Sequence, residues 1–403
     1  MRQIILINVS GADKPGLTSS IAELLSRDDI QILDIGQAVI HETLSLGILI
    51  EVPAASESSP VLKDVLFRTH ELGLQARFTP IDEDSYSAWV AGQGKPKHII
   101  TLLARKLAAS HLASVTQAIS RHGLNIDRIE RLSGRIPLGN QPSGGQACVE
   151  ISARGPLEDA AEVRRELLEV ALAMDVDIAY QEDNIFRRNR RLVAFDMDST
   201  LIEAEVIDEL AKAAGVGDQV SAITERAMAG EIDFTESFKA RVALLEGLDA
   251  GVLADIAERL PLTEGAERLL STIQGLGYKT AILSGGFTYF GHYLQRRLGI
   301  DYVFANELEI VNGKVTGRVT GQVIDGERKA ELLRELAVRE HIVLDQVIAV
   351  GDGANDLPML SIAGLGIAFR AKPLVKKSAK HAISHLGLDG ILYLLGYSDR
   401  ETT

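Results

Sequence analysis

The run Arg191-Leu-Val-Ala-Phe-Asp196-Met-Asp198-Ser-Thr200 places two aspartates one residue apart, directly behind four apolar residues. Carboxylates that close repel each other, so a proton or a cation must compensate them. A hard cation with oxygen ligands, such as Mg²⁺, meets that need. Two further turns are built alike. Lys279-Thr-Ala-Ile-Leu283 runs into Ser284-Gly285-Gly286, and Val347-Ile-Ala-Val350 runs into Gly351-Asp352-Gly353-Ala354-Asn355-Asp356. Between them lies Lys329, at the head of a helix expected to begin near Gly326. Taken singly, these are an Asx turn, a strand-to-helix turn and a solvated lysine. Together and in order, two acidic turns, a hydroxyl–glycine turn and a lysine form a kit for holding Mg²⁺ and a phosphoryl group.

Such residues need strands to deliver them. Leu192 to Phe195 reads as a buried parallel strand, and ligands of open α/β sheets sit at the carboxyl ends of such strands. From about Asn189 onward strands and helices alternate, the pattern of a doubly wound, Rossmann-like parallel sheet. Residues 204–262 break that rhythm with continuous helical sequence. Lying straight after the aspartate turn, they are expected to form a lid over it. Arg187, Arg188, Arg190 and Arg191 read as a solvated approach to the first strand.

The first half of the chain holds a βαββαβ order twice. In the first copy, Ile4–Val9, Ile30–Ile40, Leu46–Val52 and Gln75–Thr79 read as strands, with helices at Leu17–Ser26 and Val61–Leu72. In the second, Leu25-Ser-Arg-Asp-Asp-Ile30-Gln-Ile32 can be laid on Ile119-Ser-Arg-His-Gly-Leu124-Asn-Ile126. A duplicated split-βαβ, ferredoxin-like domain follows. Boundaries are expected at 1–84, 95–183 and 190–397, with a cap at about 204–262. Ser85–Lys97 is expected to be a linker, and the Gly/Pro-rich stretch Ser133–Gln146 a strand–strand loop.

Composition narrows the partners. The 403 residues carry a net charge of −14, which disfavours extended contact with nucleic acid or anionic lipid. The lone cysteine, Cys148, permits no intrachain disulfide and no cysteine-based metal site. No stretch is long enough to span a bilayer, and the apolar run Ile4–Ile7 is broken at once by Asn8 and Ser10, so a cytoplasmic location is expected.

The four motifs, in this order, resemble the haloacid dehalogenase superfamily of phosphohydrolases. Asp196 to Glu205 (DMDSTLIEAE), Ser284-Gly-Gly-Phe287, GDGANDLPML and Glu225–Arg241 (ERAMAGEIDFTESFKAR) resemble its phosphoserine phosphatase branch, over about residues 190–395. The two repeats resemble ACT domains, small amino-acid-sensing modules, through Asp13-Lys-Pro-Gly16-Leu; in the second copy Ser110 falls opposite Gly16.

The resemblance implies roles. Asp196 would be the nucleophile and form an aspartyl-phosphate, and Asp198 the general acid and base. Mg²⁺ would be held by Asp196, Asp352 and the main-chain carbonyl of Asp198, supported by Asn355 and Asp356. Ser284, the Gly285 amide and Lys329 would hold phosphoryl oxygens. Thr200 would order the first turn. On the cap, Glu205 would take the ammonium of O-phospho-L-serine, Arg241 its carboxylate, and Phe234 would exclude water. L-Serine would be product and effector, sensed near Asp13 and Gly16, in a homodimer. The same motifs would also serve phosphotransfer to an alcohol such as homoserine, or an amino-acid sensor with a vestigial site.

Overall fold

The computed structural model describes residues 3–28, 30–53, 58–137, 145–228 and 231–402. They form two compact units, 1–95 and 96–403.

In the first unit the elements are β1 (Gln3–Ala12), α1 (Leu17–Leu25), β2 (Gln31–Ile40), β3 (Thr43–Val52), α2 (Ser58–Glu71), β4 (Gln75–Ile81) and α3 (Glu83–Ala91). The described strands pair antiparallel in the order β2-β3-β1-β4. Alternation decides which face is buried. Ile5, Ile7 and Val9 of β1 and Leu44, Leu46, Ile48, Ile50 and Val52 of β3 turn to one side. There they meet Leu17, Ile21 and Leu25 of α1 and Val61 and Val65 of α2. The segment expected as a linker is instead largely α3. Its N-terminus is closed by Asp82, whose side chain accepts from the Ser85 N–H, with Glu83 and Asp84 in the first turn. That is a helix-start signal written in the sequence.

The second unit begins with the repeat: β5 (Lys97–Ala104), α4 (Ala109–Arg121), β6 (Asn125–Arg131), β7 (Ala147–Arg154), α5 (Ala160–Met174) and β8 (Asp177–Glu182). Its sheet order, β6-β7-β5-β8, reproduces the first with each strand in the corresponding place. The helix entries differ. Gly16, at φ 87°, is the N-cap of α1, whereas the N-cap of α4 is Ala108. Ser110 therefore lies inside the first turn of α4, not at the place of Gly16. Of the Ser133–Gln146 loop, residues 138–144 lie outside the described part. Its near flank is held by Ser133, whose hydroxyl accepts from the Cys148 N–H at 3.0 Å.

The remainder is β9 (Leu192–Phe195), α6 (Val206–Ala214), α7 (Gly217–Met228), α8 (Phe234–Ala243), α9 (Val252–Arg259), α10 (Ala266–Gly275), β10 (Lys279–Phe287), α11 (Thr288–Leu298), β11 (Tyr302–Val311), β12 (Lys314–Thr320), α12 (Gly326–Arg339), β13 (Val347–Gly351), α13 (Leu357–Ile362), β14 (Leu365–Phe369), α14 (Pro373–Ser378), β15 (His381–Ile383) and α15 (Ile391–Leu394). The sheet runs β12-β11-β10-β9-β13-β14-β15 and is parallel except for β12. Strand order reverses between β9 and β13, so a crevice opens at their carboxyl ends. The antiparallel β11–β12 hairpin departs from the expected alternation. Asn312 and Gly313, at φ 51° and 76°, make its turn, and Asn-Gly is the dipeptide such a turn favours.

Helices α6–α9 form the expected cap. Its stem closes where Glu203 N–H donates to Pro261 O and Thr263 N–H to Leu201 O. Its far end rests on the hairpin through Gly247 N–H to Val315 O and Ala250 N–H to Gly313 O.

The second repeat shares a core with the seven-stranded sheet: Leu103, Leu132, Cys148 and Ala179 pack in one cluster with Phe195 and Leu392 to Leu395. Polar ties reinforce this junction. Asp177 accepts from the Ser384 and His385 N–H groups at 2.8 Å each, and Arg105 is bidentate to Glu264. Of the basic run, Arg188 and Arg191 are exposed as expected, but two members are not. Arg187 and Arg190, expected in solvent, are 1% and 6% exposed. Arg187 pairs with Glu150 of β7, and Arg190 donates to Asp345 O. Solvation gave way at Arg187 where Glu150 and Gly396 close around it, and at Arg190 where it lies against the Asp345 and Gly364 backbone. Among the described residues no helix is long and apolar enough to cross a membrane.

Removing one partner of a buried pair leaves an uncompensated charge, which costs about 3 kcal/mol or more, whereas an apolar replacement of both is often tolerated. Glu150→Ala should therefore lower unfolding stability by about that amount, and Glu150→Leu with Arg187→Met should recover most of it. Urea unfolding of the three chains measures both; a double variant no more stable than Glu150→Ala would contradict the pairing.

Candidate active site

Three strand ends converge. Asp196 leaves the end of β9 with its N–H donated to Val350 O of β13 at 2.8 Å, which fixes the aspartate turn against the Gly351–Asp356 turn. The turn folds back sharply: the N–H groups of Leu201 and Ile202 both donate to Met197 O, and Ser199 sits at φ 54°. A buried polar side chain threads the site. Lys329, wholly buried on α12, lies 2.9 Å from Asp196 Oδ1 and 2.7 Å from Asp356 Oδ1. Asp325, the N-cap of α12, sets the helix start that aims it. Asp356 Oδ2 takes the Gly353 N–H at 2.9 Å, and Thr200 Oγ1 donates to Asp352 Oδ1 at 3.3 Å.

Close approach explains the glycines. A Cβ on Gly351 would lie 2.4 Å from the Asp356 carboxyl carbon, and one on Gly286 would lie 2.5 Å from Asp198 Oδ2. Ser284 is fully buried and its Oγ accepts from the Gly286 N–H at 2.8 Å, bending the end of β10 toward Asp198. Asn306 holds that bend from behind: its Nδ2 donates to Gly285 O and its Oδ1 accepts from the Ile324 N–H, both at 2.8 Å. No local signal in the sequence marks Asn306 for this task.

Electrostatics follow from burial. Four carboxylates, Asp196, Asp198, Asp352 and Asp356, surround one ammonium. Burial and the charge of Asp356 push Asp196 well above the ordinary carboxylate range, against the pull of Lys329. Burial and then Glu205 raise Asp198 to about 8, although the Val206 N–H on its Oδ1 at 2.9 Å opposes this. Asp352 is raised to about 7 by burial and by Asp356. Burial alone would discharge Lys329, but Asp196 and Asp356 outweigh it and raise its pKa. Carboxylate oxygens of Asp196, Asp352 and Asp356 lie within 4.8 Å of one another. Oxygen donors in excess of positive charge suit a divalent cation. In this side-chain cluster Asp356 joins Asp196 and Asp352, while the Asp198 carboxylate turns toward Val206 and Gly286.

The cap closes a cavity of about 880 Å³ over these groups. Asp196, Asp198, Glu205, Phe234, Arg241, Gly285, Asp352 and Asn355 line it together, whereas Ser284 and Lys329 lie buried behind its wall. Glu205 Oε1 accepts from Ser199 Oγ at 2.7 Å. Among the described residues no ion pair joins Glu205 to Arg241, whose Nε donates to Ser237 O at 3.4 Å. Both therefore face the cavity with charge to offer. Their shifts agree with crowding by the walls: burial raises Glu205, though it still reaches solvent in the cavity, and lowers Arg241. Phe234 stacks on Phe238 at 6.2 Å and rests against Gly285, where a Cβ would meet its ring at 3.0 Å. Lys372, just before α14, also lines the cavity and went unmarked in the sequence reading. Apart from it, Asp13 and Gly16 share a hollow of about 370 Å³ in the first unit with Thr18 and Gln37, which hydrogen bond to each other.

A capped parallel sheet with buried carboxylates at its switch point defines a hydrolase of the haloacid dehalogenase type. The family model for haloacid dehalogenase-like hydrolase matches residues 193–361, and ACT domain models match residues 3–79 and 96–181. The chain is 40% identical over 400 residues to the phosphoserine phosphatase SerB2 of Mycobacterium tuberculosis, covering 98% of this chain and 94% of that one. It is 39% identical to a phosphoserine phosphatase of Streptomyces coelicolor, covering 98% and 93%. Among solved structures, a HAD-family hydrolase of Salmonella enterica serovar Typhi matches at 32% identity with a TM-score of 0.63, covering 74% of this chain and 98% of that one. With this likeness over nearly its whole length, the chain belongs to the phosphoserine phosphatase family: a haloacid dehalogenase-type hydrolase domain preceded by two ACT domains.

The raised Asp352 gives a pH test. Its folded pKa near 7 exceeds the unfolded value of about 3.9, so folding takes up a proton between them. Its contribution without divalent cations is therefore full below about pH 4 and lost as pH rises toward 7. Relative to wild type, Asp352→Asn should be little changed at pH 4, increasingly stabilised up to pH 7, and level above. Chelator-treated unfolding curves measure it; a difference independent of pH would contradict the assignment.

Proposed function

We propose that the chain hydrolyses O-phospho-L-serine to L-serine and phosphate at the Asp196 site. The observation that carries this is one cavity presenting a buried carboxylate–lysine centre on the sheet and, unpaired with each other, Glu205 and Arg241 on the cap side. One anion and one cation beyond the phosphate site are what an amino-acid phosphoester demands.

Asp196, Asp352 and the main-chain carbonyl of Asp198 would hold Mg²⁺, with Asn355 and Asp356 in support, and the ion would supply positive charge against the carboxylates and the phosphoryl oxygens. Asp196 attacks phosphorus in line, giving an aspartyl-phosphate and serine. Asp198, raised to about 8, carries a proton at neutral pH and passes it to the departing serine oxygen. It then takes a proton from the water that hydrolyses the intermediate. Ser284, the Gly285 amide and Lys329 hold the phosphoryl oxygens, and Thr200 steadies Asp352. Glu205 takes the substrate ammonium, Arg241 forks onto its carboxylate, and Phe234 excludes water. The working division is 1–84, 95–183 and 190–397, with the cap at 204–262. L-Serine binding near Asp13 and Gly16, in a cytoplasmic homodimer, completes the proposal with feedback.

Phosphate release from phosphoserine with Mg²⁺ tests the centre. Asp196→Asn should lower it by roughly four to six orders of magnitude, and millimolar L-serine should slow the wild type. Release that survives Asp196→Asn would overturn the nucleophile. Arg241→Lys keeps the charge and loses the fork, so KM should rise about 10-fold while kcat falls less. An unchanged KM would remove Arg241 from substrate binding.

A further inference from the structure

A second large cavity, about 780 Å³, opens where α5 and β8 of the second repeat meet α14 and β15 of the catalytic sheet. Its walls are apolar, from Leu167, Leu168, Leu172 and Val176, and Leu172 is 61% exposed on α5. Its polar lining is dominated by cations: Arg164, Lys376, Lys377 and Lys380. Arg165 is engaged by Glu162 and Glu169 of its own helix, but the other four have no described carboxylate within ion-pair distance. Of the carboxylates nearby, only Asp177 is acted on by one of these four cations, Lys376, and then from beyond ion-pair distance. Asp177 spends both oxygens on backbone N–H groups, and Asp175 faces His385 at 3.6 Å.

Two groups in this wall have unused capacity. Arg164 lies over the Tyr180 ring at 5.2 Å, and its buried Nε has no hydrogen-bond partner. His381 is 6% exposed, lines the cavity, and its Nδ1 is likewise without a partner. Burial, then the charges of Arg164 and Lys380, hold His381 neutral by pushing its pKa down to about 3. Leaving buried polar atoms unpaired is costly, so they are commonly satisfied by water or a ligand. A guanidinium fork beside ammonium groups recognises a carboxylate, and the leucine wall recognises an apolar body.

The cavity also borders the active site through one short element. Lys372, Leu374 and Val375 line the active-site cavity, while Lys376, Lys377 and Ala379 line this one. The six residues of α14 thus form much of the partition. Lys372 acts electrostatically on Glu205, opposing in part the rise that burial causes. A ligand that draws Lys376 toward itself would shift the partition that carries Lys372.

We infer that this cavity binds a small organic carboxylate with an apolar body, and that α14 transmits its occupancy to the active-site cavity. The binding half stands apart from the substrate assignment; the transmission half rests on it, and the two are read separately.

The probe is 4-phenylbutyrate, titrated calorimetrically into the full chain with inorganic phosphate and Mg²⁺ present to fill the active site. One molecule should bind per chain, and its neutral amide should bind at least about 10-fold more weakly. Arg164→Gln with Lys376→Gln should weaken the acid about 10-fold, and Leu172→Ser, at an exposed position, should weaken it while leaving the charges unchanged. Saturating probe should shift KM for phosphoserine at least about twofold in wild type and not in the double variant. No binding, equal binding by amide and acid, equal binding by the variants, or displacement by phosphate would overturn the site. Binding with an unchanged KM would overturn transmission through α14, whatever the substrate assignment.

Discussion

One buried ammonium among four carboxylates governs the catalytic unit. Lys329 touches Asp196 and Asp356, and its charge offsets part of the repulsion among the carboxyl groups gathered around it. Charges this deep are costly unless paired and hydrogen-bonded. The surrounding backbone supplies the rest: Gly353 N–H to Asp356, Val206 N–H to Asp198, and Thr200 to Asp352. The glycines at 286 and 351 are consequences, because side chains there would collide with Asp198 and Asp356. The centre keeps more carboxyl groups than cations even so, and that surplus of oxygen donors is what suits it to a divalent cation.

The cap solves a different problem. A cleft open to water would screen these charges, and a sealed one would admit no substrate. The cap is hinged at the stem between Leu201–Glu203 and Pro261–Thr263, braced on the β11–β12 hairpin, and floored by Phe234 against Gly285. Glu205 follows the aspartate turn so closely that its charge raises the pKa of Asp198. Glu205 and Asp198 are therefore electrostatically linked.

The second repeat is joined to the catalytic sheet by a shared core and by Arg187–Glu150, Asp177 and Arg105–Glu264. Its helix α5 and strand β8 consequently meet α14 and β15 closely enough to enclose a cavity. A duplicated module has diverged in how it is used: in this copy the helix entry is at Ala108, two residues before the position aligned with Gly16.

Much was legible in the chain because it is local. Asp196/Asp198, Ser284–Gly286 and Gly351–Asp356 each follow an apolar run that can only be a buried strand, and strand ends of one parallel sheet lie on one side. The βαββαβ repeat was legible from alternation and helical spacing. The helix at Glu83–Ala91 and the hairpin at Asn312-Gly313 carried local signals too, an acidic cap and a favoured turn, which the broader rhythm of the segments obscured. What no local pattern held was pairing at a distance. The burial of Arg187 and Arg190, the grip of Asn306 on Gly285, the place of Lys372 in the cavity wall and the position of Asp356 inside the acidic cluster depend on which surfaces the folded chain brings together. The sequence alone determined which groups could do chemistry and which elements present them. Only the tertiary structure decided which charges are desolvated together, because desolvation depends on everything packed around a group and not on its neighbours along the chain.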